Sequence, residues 1–167
     1  MIHPGDSNER WNSFHSNGPL FNPYIEFMTK EFIPDFESKL SGVNIEKRGL
    51  IGDSLAANIS LNIACCAPQF WTHLLLQSAA VSESDIARVE NLEQINWNVY
   101  QFVETLEDEF ISTITNEKLF IYSRKLELQR ILRSKGANLL FKEVEVQHLW
   151  VVWERDLPNV LQFFLKY

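Results

Sequence analysis

Residues 48–58, Arg-Gly-Leu-Ile-Gly-Asp-Ser-Leu-Ala-Ala-Asn, constrain the fold more than any other stretch, because an apolar run meets a glycine, a serine and then a helix-forming sequence. Residues 48–51 read as a short buried strand. Leu55, Ala56, Ile59, Ile63 and Cys66 then recur at helical spacing. Ser54 therefore falls at a strand-to-helix junction. A junction that sharp pushes one side chain out of the top of a sheet. It also needs small residues two positions before and after, so that strand and helix can cross closely. Gly52 and Ala56 hold those positions. Two readings fit Ser54. One is the nucleophile of a G-x-S-x-G elbow with Ala for the second glycine, activated by a histidine and with its oxyanion met by N–H groups at the helix start. The other is an ordinary helix N-cap, a position serine favours.

A chain of 167 residues with 46% hydrophobic content can bury a core, and its length suggests one domain spanning residues 1–167. The net charge of -7 and the absence of any basic run argue against a nucleic-acid partner, since phosphate binding draws its affinity from clustered Lys and Arg. No 18-residue apolar stretch exists, and the first residues offer neither a basic region nor an apolar signal core. The expectation is a soluble cytoplasmic protein with no membrane partner. Cys65 and Cys66 are adjacent within the helix after the junction and read as reduced core residues. His3, His15, His73 and His148 form no metal-ligand spacing, so no metal and no cofactor is expected.

Residues 1–23, with Gly5, Gly18 and three prolines, read as an irregular N-terminal arm. A helix signal opens at Asn22-Pro23, followed by Tyr24, Phe27, Met28, Phe32 and Phe36 at helical spacing, with a bend expected at Pro34 and an end at Ser41-Gly42. Residues 71–78 suit a second buried strand, 82–94 a short helix and 97–103 a third strand that ends at the acidic cluster 104–109. Leu119, Tyr122, Leu126, Gln129 and Leu132 mark a helix over 119–134. Residues 138–146 alternate like a fourth strand, and a final helix covers 150–164. Strands alternating with helices mean an α/β fold, a mainly parallel sheet of about four strands with helices on both faces.

In such a sheet, functional groups gather beyond the carboxyl ends of the strands. Ser54, the cluster 104–109 and His148 each follow a strand there, in the order serine, acid, histidine that an α/β-hydrolase architecture imposes. His148 is weighed against a packed aromatic role beside Trp150 and Trp153, and a base working near neutral pH is usually histidine. His73, inside an apolar strand, reads as a satisfied core residue. Asp53 reads either as exposed or as steering substrate. Most of the acidic cluster must be solvated. Within it Glu107 is preferred to Glu104, Asp108 and Glu109, because the strand needs a short turn before a carboxylate can reach back to His148.

Ile51-Gly52-Asp53-Ser54-Leu55-Ala56-Ala57, Ala67-Pro68-Gln69-Phe70 and Gln77-Ser78 resemble the elbow, the "P-x-x-F" corner and the "Q-S" strand end of the esterase family that includes esterase D and enterochelin esterase. The ending from His148 through Trp150, Trp153 and Leu157 resembles that family's "GGH-x-W-x-x-W-x-x-x-L" still more specifically, and Arg10 to His15 and Tyr24 to Pro34 are similar to its early loop and helix. The resemblance implies a partial α/β-hydrolase fold and a serine carboxylic-ester hydrolase. Ser54, Glu107 and His148 would be its triad, the Leu55 N–H its oxyanion donor, Asp53 a substrate-side residue and a small ester its substrate. The family's acid-bearing loop gives the same position for Glu107. A thioesterase or acyltransferase could run on the same triad, and a non-catalytic binding remnant is the rival from another class.

The chain departs from the pattern at Val146-Gln147, where members carry Gly-Gly, at Ala56, and at Glu104, where they carry glycine. Members are also longer at the N-terminus, where half of the sheet and a second oxyanion donor lie. The expectation is a truncated fold whose elbow strand is left on an open edge. Such an edge favours a homodimer or aggregation, and loss of one oxyanion donor typically costs about 100- to 1000-fold in rate.

Overall fold

Asp6 opens the first regular element. Its side chain accepts the N–H groups of Asn8 and Glu9, and Glu9 Oε2 accepts the Asp6 N–H at 2.8 Å, a reciprocal capping box that starts α1, Ser7–Phe14. The computed structural model describes residues 5–167, so the part of the arm carrying His3 and Pro4 lies outside the described residues. The irregular arm expected over 1–23 is corrected by α1, which buries Phe14, and by a second helix that begins at Phe21.

The second helical run is continuous through α2 (Phe21–Glu26), a π-helical stretch (Phe27–Phe32) and α3 (Ile33–Ser38). Pro34 explains the middle. It has no N–H to give the Lys30 carbonyl, and in a regular turn its ring would collide with that carbonyl. The chain widens instead, and the Ile33 N–H reaches back five residues to the Met28 carbonyl. The buried face is Phe21, Ile25 and Met28. Phe27, Phe32 and Phe36, expected on the packed stripe, are exposed.

Among the described residues the strands form one sheet in the order β1 (Gly49–Asp53), β2 (His73–Gln77), β3 (Asn98–Glu104), β4 (Asn138–Val144), every pair parallel. Between them run α4 (Ser54–Cys66), α5 (Glu83–Glu90) and α6 (Ile121–Ser134), and α7 (Trp150–Lys166) closes the chain. Alternation divides the sheet's side chains between two cores. Leu74, Leu76 and Val99 join α1, α2, α4, α5 and α6 on one face, whereas Leu75, Tyr100 and Phe102 meet Trp153, Val160 and Phe163 of α7 on the other. This is the α/β layering read from the sequence, with strand ends moved by one or two residues.

The face of α6 differs from the expected one. Ile121, Lys125, Leu128 and Leu132 are its buried residues, while Tyr122, Leu126 and Gln129 sit on its half-buried flank. A lysine on the inward stripe hid the pattern. Cys65 is buried in α4 but Cys66 is exposed, so only the first is a core residue. No helix among the described residues is long and apolar enough to cross a membrane.

Candidate active site

β1 passes into α4 without a linker. Asp53 is extended at φ -118°, and the next residue, Ser54, turns at φ 48° into the left-handed region. A side chain held there costs about 1–3 kcal/mol unless the surroundings fix it. Two contacts do so. The Ser54 carbonyl accepts the Ala80 N–H at 3.1 Å, and Gly52 lies so close under α4 that a Cβ on it would stand 2.4 Å from the Ala56 carbonyl carbon. That neighbour is backbone and cannot rotate away. Gly52→Ala is therefore expected to lose about 3 kcal/mol of stability, read by urea unfolding; a loss below about 1 kcal/mol, the ordinary mutational range, would mean the strand and helix are not locked together here.

Ser54 is not a capping residue. Asp53 holds the N-cap position with no side-chain cap bond, and Ser54 Oγ lies 2.9 Å from His148 Nε2. His148 stands between β4 and α7, its ring 4.7 Å from both the Phe110 and Trp153 rings. Its other nitrogen, Nδ1, is 2.5 Å from Glu107 Oε1. Glu107 sits in a 3-10 turn, Glu107–Glu109, three residues past the end of β3, the short turn that the sequence required.

Glu107 is fully buried and meets three donors. Besides His148, its Oε2 accepts the Glu104 N–H at 3.1 Å and the Lys125 ammonium, which is itself fully buried on α6. Both carboxylate oxygens are thus occupied, Oε1 by His148 and Oε2 by Lys125 and the Glu104 N–H. The geometry suits a neutral imidazole that donates from Nδ1 to Glu107 and turns Nε2 to the Ser54 hydroxyl. Of the other members of the acidic cluster, two go elsewhere and Glu104, which is buried rather than solvated, stays near the histidine. Asp108 caps Ser123, and Glu109 is exposed. Glu104 is buried at the end of β3, accepts the Ser78 hydroxyl at 3.1 Å and lies 3.7 Å from His148 Nδ1, while Ser78 accepts the Trp153 indole N–H at 3.0 Å.

Burial sets the electrostatics. It pushes the His148 imidazole down to about 4, helped by Lys125 and opposed by Glu104 and Asp53. Desolvation also raises Glu104 and Asp53, and it pulls Lys125 well below its ordinary range against the attraction of Glu104. Asp53 is half-buried, which corrects the reading of it as exposed. Leu55 stands in the first turn of α4, where backbone N–H groups have no partner within the helix. Glu104, Glu107 and His148 bring their ligand atoms within 4.8 Å of one another, yet a cation there would have to displace the Lys125 ammonium from Glu107.

A cleft of about 370 Å³ opens beside His148, walled by Leu106, Phe110 and Ile111 with Glu109 and Gln147. His73 is buried as expected, but only half satisfied: Nδ1 meets Thr72 Oγ1 at 2.8 Å and Nε2 has no partner among the described residues. Lys125 and Ser78 were not singled out from the sequence as site residues. For Lys125 a signal existed, since it falls on the inward stripe with Ile121, Leu128 and Leu132.

Comparison with known proteins bears on the family and the fold. Residues 1–164 match the family described as "Putative esterase". The uncharacterized protein YjcH of Bacillus subtilis (strain 168) is 28% identical over 162 residues, which are 96% of this chain and 67% of the relative. A ferulic acid esterase shares the fold with a TM-score of 0.54 at 17% identity, covering 84% of this chain and 61% of that one. Enterobactin hydrolase IroE in complex with DFP shares it with a TM-score of 0.59 at 16% identity, covering 98% of this chain and 66% of that one. The chain thus spans between 61% and 66% of the length of these solved structures, and its four parallel strands with their helices are a partial α/β-hydrolase fold. With nearly every residue inside the match, the chain belongs to that esterase family.

Proposed function

We propose that the chain is a serine carboxylic-ester hydrolase acting through an acyl-enzyme on Ser54, His148 and Glu107. The observation that carries this reading is the continuous relay from Ser54 Oγ through both nitrogens of His148 to Glu107, built on a serine at φ 48°. His148 Nε2 takes the Ser54 proton as Oγ attacks the ester carbonyl. Glu107 holds the imidazole and offsets the positive charge it gains. The Leu55 N–H meets the oxyanion. Collapse of the tetrahedral intermediate expels the alcohol, which receives the proton from His148. Water, deprotonated by the same nitrogen, then releases the acid and restores Ser54. Asp53, beside the serine, faces the substrate, and the cleft next to His148 holds a small ester's apolar part. Thioesters would follow the same course.

A p-nitrophenyl ester series beginning with acetate tests the reading: saturable hydrolysis above the buffer rate is expected. A folded chain with no turnover on oxygen esters or thioesters would leave the non-catalytic alternative standing.

The assignment of the acid is tested separately. Glu107→Gln keeps the shape but makes the imidazole tautomer wrong, so a loss on the order of 10⁴-fold in kcat is expected. Asp108→Asn and Glu109→Gln should change kcat only a few-fold, since neither touches His148. Full activity in Glu107→Gln would move the role to a neighbour.

A further inference from the structure

Two buried carboxylates face His148, and one buried lysine faces the carboxylates. A relay of the ordinary kind presents one negative charge to its histidine. Here Glu104 at the end of β3 adds a second carboxylate, and Lys125 on α6 brings its Nζ against Glu107; burial disfavours charge on Glu104 and Lys125, and their mutual attraction works against that burial. No part of the proposed chemistry needs Lys125. A lysine is almost never fully buried without a specific partner, and this one reaches that partner from a stripe that otherwise packs Ile121, Leu128 and Leu132.

We propose that Lys125 is a positioning residue of the relay: its ammonium holds Glu107 Oε2, turns Oε1 toward His148 Nδ1, and offsets the additional carboxylate of Glu104. The geometry supports both parts. Glu107 has two oxygens with divided duties, one for His148 and the other for Lys125 and the Glu104 N–H. Without Lys125, Oε2 would keep only the Glu104 N–H, and the carboxylate would be held less firmly about its last bond. Lys125 is also fixed at its own backbone, where its carbonyl accepts the buried Gln101 side-chain N–H at 3.0 Å. Glu104 is anchored by Ser78, which Trp153 orients in turn, so the second carboxylate is held in place rather than swinging into the relay.

The consequence lies in the acid limit of the reaction. The charged groups that bear on His148 are Glu104 from β3, Glu107 from the turn after it, Lys125 from α6 and Asp53 from the end of β1; Ser54, Phe110 and Trp153 contact it uncharged. Lys125 works with burial to keep the imidazole neutral to about 4. A general base works only while neutral, so activity rises with pH through the histidine's pKa. Removing the lysine's charge must raise that pKa and move the acid limb upward, while removing Glu104's charge must lower it and move the limb down. The opposite signs separate an electrostatic role from a merely structural one.

The proposal rests on the reading of His148 as the base, and the test is arranged so that the two can fail apart. Lys125→Met keeps the length of the side chain without charge. It is expected to shift the acid limb of kcat/KM up by about one pH unit or more and to lower kcat with little change in KM. Glu104→Gln is expected to shift the limb down. NMR titration of the His148 ring in a Ser54→Ala background needs no substrate and should show the same two displacements. A folded Lys125→Met protein with the parental limb, kcat and ring titration overturns the proposal. Should Lys125→Met not fold, the charge-balanced Lys125→Met/Glu104→Gln double variant is expected to fold, and the ring titration in the parent and in Glu104→Gln decides alone. A ring titrating near 6.5 in the parent, or one unmoved by Glu104→Gln, overturns it. If the ring behaves as expected while no ester is turned over, the functional reading falls and the placement of Lys125 stands.

Discussion

Ser54→Ala is expected to abolish covalent labelling by a fluorophosphonate probe and to reduce ester hydrolysis by about 10⁴-fold or more, with little change in melting temperature. The size follows from the role. In the proposed mechanism Oγ forms the bond of the acyl-enzyme, and without it the remaining relay has nothing to deprotonate except water. The small thermal effect follows from the structure. The strained turn is fixed by the Ser54 carbonyl and by Gly52, both retained in the variant, and the lost side-chain contact is the single 2.9 Å bond to His148. Such a bond contributes about 0.5–1.5 kcal/mol, and alanine is somewhat less tolerant of the left-handed region than serine's polar neighbours in that region, asparagine and aspartate. Mass spectrometry of the intact protein after probe treatment reads the outcome. Equal labelling of the parent and Ser54→Ala would place the nucleophile elsewhere.

That Ser54, Glu107 and His148 could be named as candidates before the structure placed them within contact of one another reflects how a parallel sheet works. Each follows a strand at the same edge, and hydrophobic runs locate the strands. The turn chemistry at Gly52-Asp53-Ser54 was equally readable, because close crossing demands a residue without a side chain, and the Gly52 contact with the Ala56 backbone is that demand in coordinates. What stayed hidden was local signal overridden by composition or by tertiary burial. Asp6 and Glu9 form a capping box inside a stretch rich in Gly, Pro, Asn and Ser, so α1 looked like loop. Lys125 was not among the spaced residues of α6 named from the sequence, because a charged residue is not counted on an apolar stripe, and only the structure shows it buried on the inward face against Glu107. The exposure of Phe27, Phe32 and Phe36 could not be read either, since helical spacing shows that residues share a side but not what covers it. The π-helical widening before Pro34 also shifts the register, and only Phe21, Ile25 and Met28 keep the packed face.

The isolated chain is expected to self-associate through β1, with a second copy as the occupant of that edge. β1 pairs only with β2, so along its other side the strand's alternate N–H and C=O groups have no ladder partner among the described residues. The strand is also greasy for an edge: Ile51 is 45% exposed there. Both flanks continue the apolar surface. Glu37 pairs with Arg48 at 2.7 Å and brings α3, with exposed Phe36, to the start of β1. On the other flank, Lys47 donates to the Phe164 and Leu165 carbonyls and brings in the end of α7, where Leu165 is 76% exposed. Antiparallel pairing of two β1 edges about a two-fold axis would join the sheets and bury both flanks, and a stable contact of this kind needs roughly 1,200 Å² or more in total. Protection on the strand itself is slight: residues 49–52 carry no charge and no proline, and its one charged residue, Asp53, stands at its end beside Ser54. Sedimentation velocity across a range of concentrations should show a dimer or larger species for the parent. Ile51→Lys, which places a charge in the middle of the edge, should shift it toward monomer without affecting the Ser54 to His148 distance, and fluorophosphonate labelling should persist. A parent that stays monomeric at every concentration would show that the edge is silent, and association that survives Ile51→Lys unchanged would move the contact to another face.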